Sequence, residues 1–228
     1  MQPSTTNQQP RPRLDAEVRP FSTRSVPAGP LRLSGGGAVT VRALGGRPDP
    51  AFERLLLARP AVAAGLSLSA LGGGATWHQQ VASARRVLLL AERGGRAVAA
   101  ISLVRRYLSW MRHLVEIDLL IDAELAADGG RRRRERTATG VPPSVGPQAT
   151  EMARALLRRI EPYAAGMGAR KLVACVPRSL ALRPDWLVEC GFRREATLAD
   201  WLLADSRRTA DLDLFTRTVA DAAVPERP

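Results

Sequence analysis

Three apolar runs crowd the stretch from Arg85 to Asp122, and they constrain the fold more than any other feature. "RRVLLLAER" (85–93) meets Gly94-Gly95 and continues as "RAVAAISLVRRYL" (96–108). After "SWMR" comes "HLVEIDLLID" (113–122). A Gly-Gly pair between two apolar runs is a hairpin signal, and three such runs in close succession predict an antiparallel meander. The third run alternates. Val115, Ile117, Leu119 and Ile121 share one face, and Glu116 and Asp118 share the other. Carboxylates in so apolar a strand need a partner or a wet cleft. Arg105, Arg106 or Arg112 is the expected partner if the acids are structural. A general base is the alternative, with Glu116 ahead of Asp118. His113, at the start of the run, is expected at the rim.

The flanks supply further elements. "AVTVRAL" (38–44) reads as a strand. "DPAFERLLLARP" (49–60) has an acidic N-cap, a proline at the first helical position and a proline stop, so it reads as a short helix. "TWHQQVASA" (76–84) reads as a second helix after the loop "LSLSALGGG". A long helix starts near Pro147. Its apolar stripe is Ala149, Met152, Ala153, Leu156, Leu157 and Ile160, with Glu151, Arg154 and Arg158 opposite. Pro162 is expected to kink or loosen its end. "ARKLVACVP" (169–177) is a strand, and "LRPDWLVEC" (182–190) is a short helix closed by a left-handed Gly191. "FRREATLADWLL" (192–203) and "DLDLFTRTV" (211–219) are two more strands. The expected class is α+β: a mixed, mostly antiparallel central sheet of about seven strands with flanking helices.

Composition bounds the rest. The chain has 228 residues, 45% of them hydrophobic, which suits one globular domain with tails. The formal net charge is +12, carried almost wholly by arginine, since Lys171 is the sole lysine. Such a balance favours anionic partners such as nucleotide phosphates. Cys175 and Cys190 form no disulfide framework, and with only His78 and His113 no zinc site is expected. Reduced, buried thiols suggest a cytoplasm. No apolar run reaches transmembrane length. Residues 1–37 read as a disordered tail ending in "SGGG", and 221–228 as a second tail. The stretch 123–146 lacks periodicity, holds five arginines within "RRRRER" (131–136) and reads as a mobile loop.

In this order the elements resemble the GNAT superfamily of N-acetyltransferases. The resemblance covers roughly residues 38 to 219. It is carried by "GARKLVACVP" followed by "DWLVECGF", in which Gly168, Lys171, Leu172, Val176, Gly191 and Phe192 match the family's succession, and by the closing "ADLDLF". The resemblance implies a domain over 38–220 that transfers an acyl group from acetyl-CoA to an amine by direct transfer in a ternary complex, without a metal. Two neighbouring parallel strands would splay, and the backbone at Leu120 and Ile121 would bond the amide arm of the co-substrate. The pyrophosphate would meet the start of the long helix, through Gly146, Gln148, Ala149, Thr150, Ala153 and Arg154. Glu116 or Asp118 would take the proton of the amine.

Two positions depart from the family pattern. Aligned on "ARALL", Gln148 and Ala153 fill the phosphate loop, but Glu151 stands where the family has glycine. A shifted register uses Val145, Gly146, Ala149 and Thr150 instead, and both registers remain open. The family's hydroxyl acid falls at Leu187, and its upstream asparagine near Leu180, leaving Tyr107 or Tyr163 as stand-ins. Two other classes stay in view. One is a GNAT-like module without catalysis. The other is a nucleic-acid-associated protein working through the arginine run, for which no aromatic interleaving or binding motif speaks.

Overall fold

The computed structural model describes residues 29–34, 38–57, 62–64, 79, 81, 86–105, 111, 113–122, 125, 146–178, 184–203 and 209–219. The arginine run, Tyr107, Leu180, the 221–228 tail and nearly all of the 76–84 helix and 123–146 loop lie outside them. The strands are β1 (Gly29–Arg32), β2 (Ala38–Ala43), β3 (Val62–Ala64), β4 (Arg86–Arg93), β5 (Arg96–Arg105), β6 (Leu114–Ile121), β7 (Lys171–Pro177), β8 (Arg193–Leu203) and β9 (Thr209–Thr218). The helices are α1 (Pro50–Leu57), α2 (Pro147–Gly166) and α3 (Asp185–Glu189). The sheet order is β1-β2-β4-β5-β6-β7-β9-β8, with β3 paired to β6 off this path. Among the described residues every pairing is antiparallel except β6 with β7.

The meander forms as its sequence dictates. Gly94 and Gly95 both take positive φ, +55° and +76°, which a two-residue turn of the type favoured in hairpins requires. Arg93 then faces Arg96 across the first rung. Strands β4 to β6 are buried on both faces. One face sets Val87, Leu89, Ile101, Leu103, Ile117 and Leu119 against the apolar stripe of α2. All six stripe residues of α2 have no measurable exposure, so the helical period was legible. The other face sets Leu88, Leu90, Ala100 and Leu120 against Phe52 and Leu55 of α1. Asp49 caps α1, accepting from the N–H groups of Ala51 (3.0 Å) and Phe52 (3.1 Å).

Both long-range helices end in the same way. In α3 the N–H of Gly191 bonds Val188 O and that of Phe192 bonds Leu187 O. In α2 Gly168 bonds Ala165 O and Ala169 bonds Ala164 O. These are paired 5→2 and 6→1 closures, and Gly191 (φ +85°) and Gly168 (φ +73°) supply the left-handed residue.

The mixed, mostly antiparallel class is as expected; among the described residues the sheet has nine strands, two more than were read from the sequence. One of the additional strands, β1, lies within the stretch read as tail, because Leu31 and Leu33 reach the core and Arg159 donates to Pro30 O at 3.0 Å. Its proline sits at the sheet edge, where a missing N–H costs least. The other, β3, lies between the helix read over 49–60 and the loop "LSLSALGGG", in residues that the sequence reading assigned to no element. Helix α2 continues through Pro162 to Gly166, so the proline, expected to kink or loosen the helix end, does not terminate it.

Candidate active site

The parallel pair β6–β7 is short. Leu114 faces Lys171, Val115 faces Leu172 and Glu116 faces Val173; beyond that the two strands part. Each keeps its outer partner. Strand β6 stays paired with β5 as far as Ile121, and β7 stays paired with β9 as far as Pro177. The result is a cleft that opens at the Glu116–Val173 rung. The cleft-side edge of β6 is not bare. Val62 faces Ile121, Ala63 faces Leu120 and Ala64 faces Leu119, so β3 lies along this edge and close to β7. Leu120 and Ile121, expected to bond an acyl-carrier arm, are paired to β3 in this structure.

Glu116 and Asp118 both point to the α1 side of the sheet, as their alternation requires, and both are buried. Their environments differ. Arg86, on β4, donates from Nη1 to Asp118 Oδ2 at 2.6 Å and to Ser102 Oγ at 2.7 Å, and Ser102 Oγ donates to Asp118 Oδ2 at 3.1 Å. The register explains the triangle: Leu88, Ser102 and Asp118 form one row across three strands, and Arg86 leans into it from the next same-face position. Burial pushes the Arg86 guanidinium below its ordinary value, while Asp118, by charge and hydrogen bond, and Glu116, by charge, draw it back up. Arginine has such reserve that it stays protonated throughout.

Asp118 is therefore one arm of a buried ion pair rather than an open base. Among the described residues Arg86 pairs with it; Arg105 donates to Met167 O, and Arg106 and Arg112 lie outside the described residues. Glu116 stands at the apex of the cleft, one same-face step from Asp118. His113 is exposed, and its carbonyl accepts from the N–H groups of Arg170 and Lys171 where β7 begins.

The start of α2 divides the remaining candidates. Ala149 and Ala153 are fully buried and Thr150 nearly so, so their side chains pack inward. Gly146 caps the helix in an extended conformation, and its carbonyl accepts from Ala149 and Thr150 at 3.1 Å each. Gln148 is exposed, in the turn whose N–H groups lack helical acceptors. Arg154 is exposed and donates to Glu189 O at 3.1 Å, satisfying a carbonyl at the end of α3. Glu151 does not project freely. Its carboxylate accepts from Ser34 N and from Ser34 Oγ, both at 2.7 Å, and these bonds hold it below the usual carboxylate range. Glu151 thus ties Ser34, just after β1, to the helix.

Leu187, at the position of the expected hydroxyl acid, is a core residue that also closes α3. Tyr163 packs against the core at its edge, and burial pushes its phenol up. Arg86, Ser102 and Ser34 were missed by sequence reasoning. For Arg86 a signal existed: it shares the inward face of Leu88 and Leu90 in a strand with no other cation on that face. No equivalent signal marks Ser34.

No family model matches the sequence, and no curated protein matches it. Solved structures do resemble it. A probable acetyltransferase from Staphylococcus epidermidis superposes with a TM-score of 0.55 at 10% identity, covering 80% of this chain and 99% of that one. An N-acetyltransferase from Staphylococcus aureus gives 0.53 at 15%, covering 80% and 99%. The yncA protein of Salmonella typhimurium, solved with its cofactor acetyl-CoA, gives 0.50 at 16%, covering 83% and 99%. A mixed sheet whose one parallel pair splays beside a long helix, with likeness spanning nearly the whole of those chains, is the fold of the GNAT N-acetyltransferases.

Proposed function

We propose that this protein is an acyl-CoA-dependent N-acyltransferase, moving the acetyl group of acetyl-CoA directly to an amine in a ternary complex. The observation that carries the proposal is the parting of β6 from β7 immediately beyond Glu116 and Val173. Strand edges in such a cleft offer backbone N–H and C=O groups to the amide arm of acetyl-CoA. The first turn of α2, through Gly146 and Gln148, lies toward the pyrophosphate, where helix N–H groups favour an anion. In the reaction the amine nitrogen attacks the thioester carbon and forms the C–N bond. Glu116 accepts the proton that the nitrogen sheds, directly or through water. The tetrahedral intermediate then expels the CoA thiolate, which takes a proton and leaves as the thiol. Asp118 holds its ion pair with Arg86 throughout.

A second reading has an observation of its own. Strand β3 pairs along Leu119–Ile121, the edge that the amide arm would need; this favours a GNAT-like module that has lost catalysis. Thermal unfolding with excess acetyl-CoA, and separately with CoA, is the first test. A ligand at 100 times its dissociation constant stabilises the fold by about 2.7 kcal/mol. A saturable shift followed by CoA thiol release in an amine screen supports the enzyme. A shift without turnover favours the module, and no shift with either ligand sinks the acyl-CoA reading.

A further inference from the structure

We infer that β3 is an internal occupant of the acyl-CoA cleft, which must leave β6 before the acyl-carrier arm can enter, so that the ligand-free protein is autoinhibited. The inference rests on the acyl-CoA reading of the cleft and adds its regulation.

The argument is one of exclusion. A strand has two edges. Residues Leu119, Leu120 and Ile121 of β6 are paired to Ile101, Ala100 and Ala99 of β5 on one edge. The same three residues are paired to Ala64, Ala63 and Val62 of β3 on the other. That second edge is the one β7 relinquishes after Glu116, and β3 lies close to β7 as well. It therefore occupies the space between the parted strands. A backbone group that bonds β3 cannot bond a ligand amide at the same time. The two occupants are alternatives, and a fully extended peptide segment and an extended amide arm present like chemistry to a strand edge.

The occupant is built to be displaced. It is three residues long, whereas β6, along which it lies, has eight, and β5 and β4 beyond have ten and eight. In sequence it is bracketed by Pro60 and Gly65, which disfavour a longer ladder. All other pairings of the sheet are independent of it, because it lies off the continuous strand path. Ligand affinity is then reduced by the fraction of molecules with β3 out of the cleft.

The test compares the full-length chain with Val62→Pro/Ala63→Pro by calorimetric titration with CoA. In an antiparallel pair, alternate residues exchange the ladder bonds, so the double change removes an inward N–H whichever residue carries it. The expected result is binding at least about tenfold tighter in the variant, in line with a cleft mostly closed in the parent. Equal or weaker binding by a folded variant overturns the inference while leaving the acyl-CoA reading intact. Uptake by neither protein sinks both. Hydrogen exchange on the unmodified protein gives a check that does not depend on the variant folding. Saturating CoA should expose the amides of residues 62–64 and keep those of 119–121 protected, whereas continued protection of 62–64 in the saturated protein overturns the inference.

Discussion

Arg86 Nη1 lies 2.6 Å from Asp118 Oδ2, with neither side chain exposed to solvent. An ion pair so placed has lost its hydration, and its attraction is set against that loss. Ser102 shares the same donor and acceptor atoms, so the three groups close on one another. Breaking the pair from one side leaves a charge stranded in the sheet.

Asp118→Ala should therefore destabilise the fold by about 3–5 kcal/mol, read as a lower urea midpoint. Replacing both partners, as Arg86→Met/Asp118→Leu, should recover most of that loss, because no charge is left without its mate. A single and a double variant of equal stability would show that the pair contributes nothing of this kind.

Glu116 answers to a different measurement. If it takes the proton of the amine, Glu116→Gln should lower kcat by about 10²–10⁴-fold while changing KM little. The amide is nearly isosteric, so the urea midpoint should move far less than for Asp118→Ala. An unchanged kcat for CoA thiol release would remove Glu116 from the chemistry.

The contrast between these two acids shows where sequence reasoning reaches and where it stops. Their shared face followed from strand alternation alone, a rule that acts over two residues. The Gly94-Gly95 hairpin, the α2 stripe and the Gly191 closure were legible for the same reason. Which cation would pair with Asp118 was not. Arg105, Arg106 and Arg112 are nearer in sequence, but Arg86 reaches it across two strands, and only the register between β4, β5 and β6 decides that. Strands β1 and β3 escaped similarly. They are four and three residues long, too short to show a period; β1 pairs with the adjacent β2, and β3 exists because the distant edge of β6 accepts it. The Ser34–Glu151 bonds join residues 117 apart, so Glu151 looked like an obstruction to the phosphate site rather than a tether.

That tether has a ligand-dependent consequence. Glu151 places negative charge in the early turns of α2, where the dipole favours anions of either kind, side chain or ligand. Glu151→Gly should raise CoA affinity by about 2–5-fold, equivalent to roughly 0.3–1 kcal/mol of charge effect at a helix start. The same change should lower stability by about 1 kcal/mol, since glycine replaces a helix former and Ser34 loses its acceptor. Glu151→Gln separates charge from bulk. If calorimetric titration finds both variants binding CoA no better than the parent, the pyrophosphate does not approach this turn.

Gly191 offers a test of the α3 closure. At φ +85° any other residue is strained, although the nearest atom to an added Cβ would be Arg217 Cδ at a comfortable 3.8 Å. The cost of Gly191→Ala is therefore backbone strain alone, about 1–2 kcal/mol in chemical denaturation. A neutral substitution would mean that the helix end can adopt another closure.

Acid titration tests the far side of the sheet. Glu195 on β8 accepts from Lys171 Nζ at 3.0 Å and Arg193 Nη2 at 3.2 Å, joining β8 to β7 across β9. Hydrogen bonds from Thr216, first, and then Lys171 and Arg193 lower its carboxyl from 4.5 to about 2. A group with a depressed folded-state value binds its proton more readily when unfolded. Its contribution is thus fully present above about pH 4.5 and is lost as the pH falls toward about 2. Glu195→Gln should flatten the stability profile through that window, leaving parent and variant to converge at its acidic end and to differ at neutral pH. Urea unfolding of both proteins at a series of pH values measures this. Parallel profiles across the window would show that Glu195 titrates alike in the folded and unfolded chain.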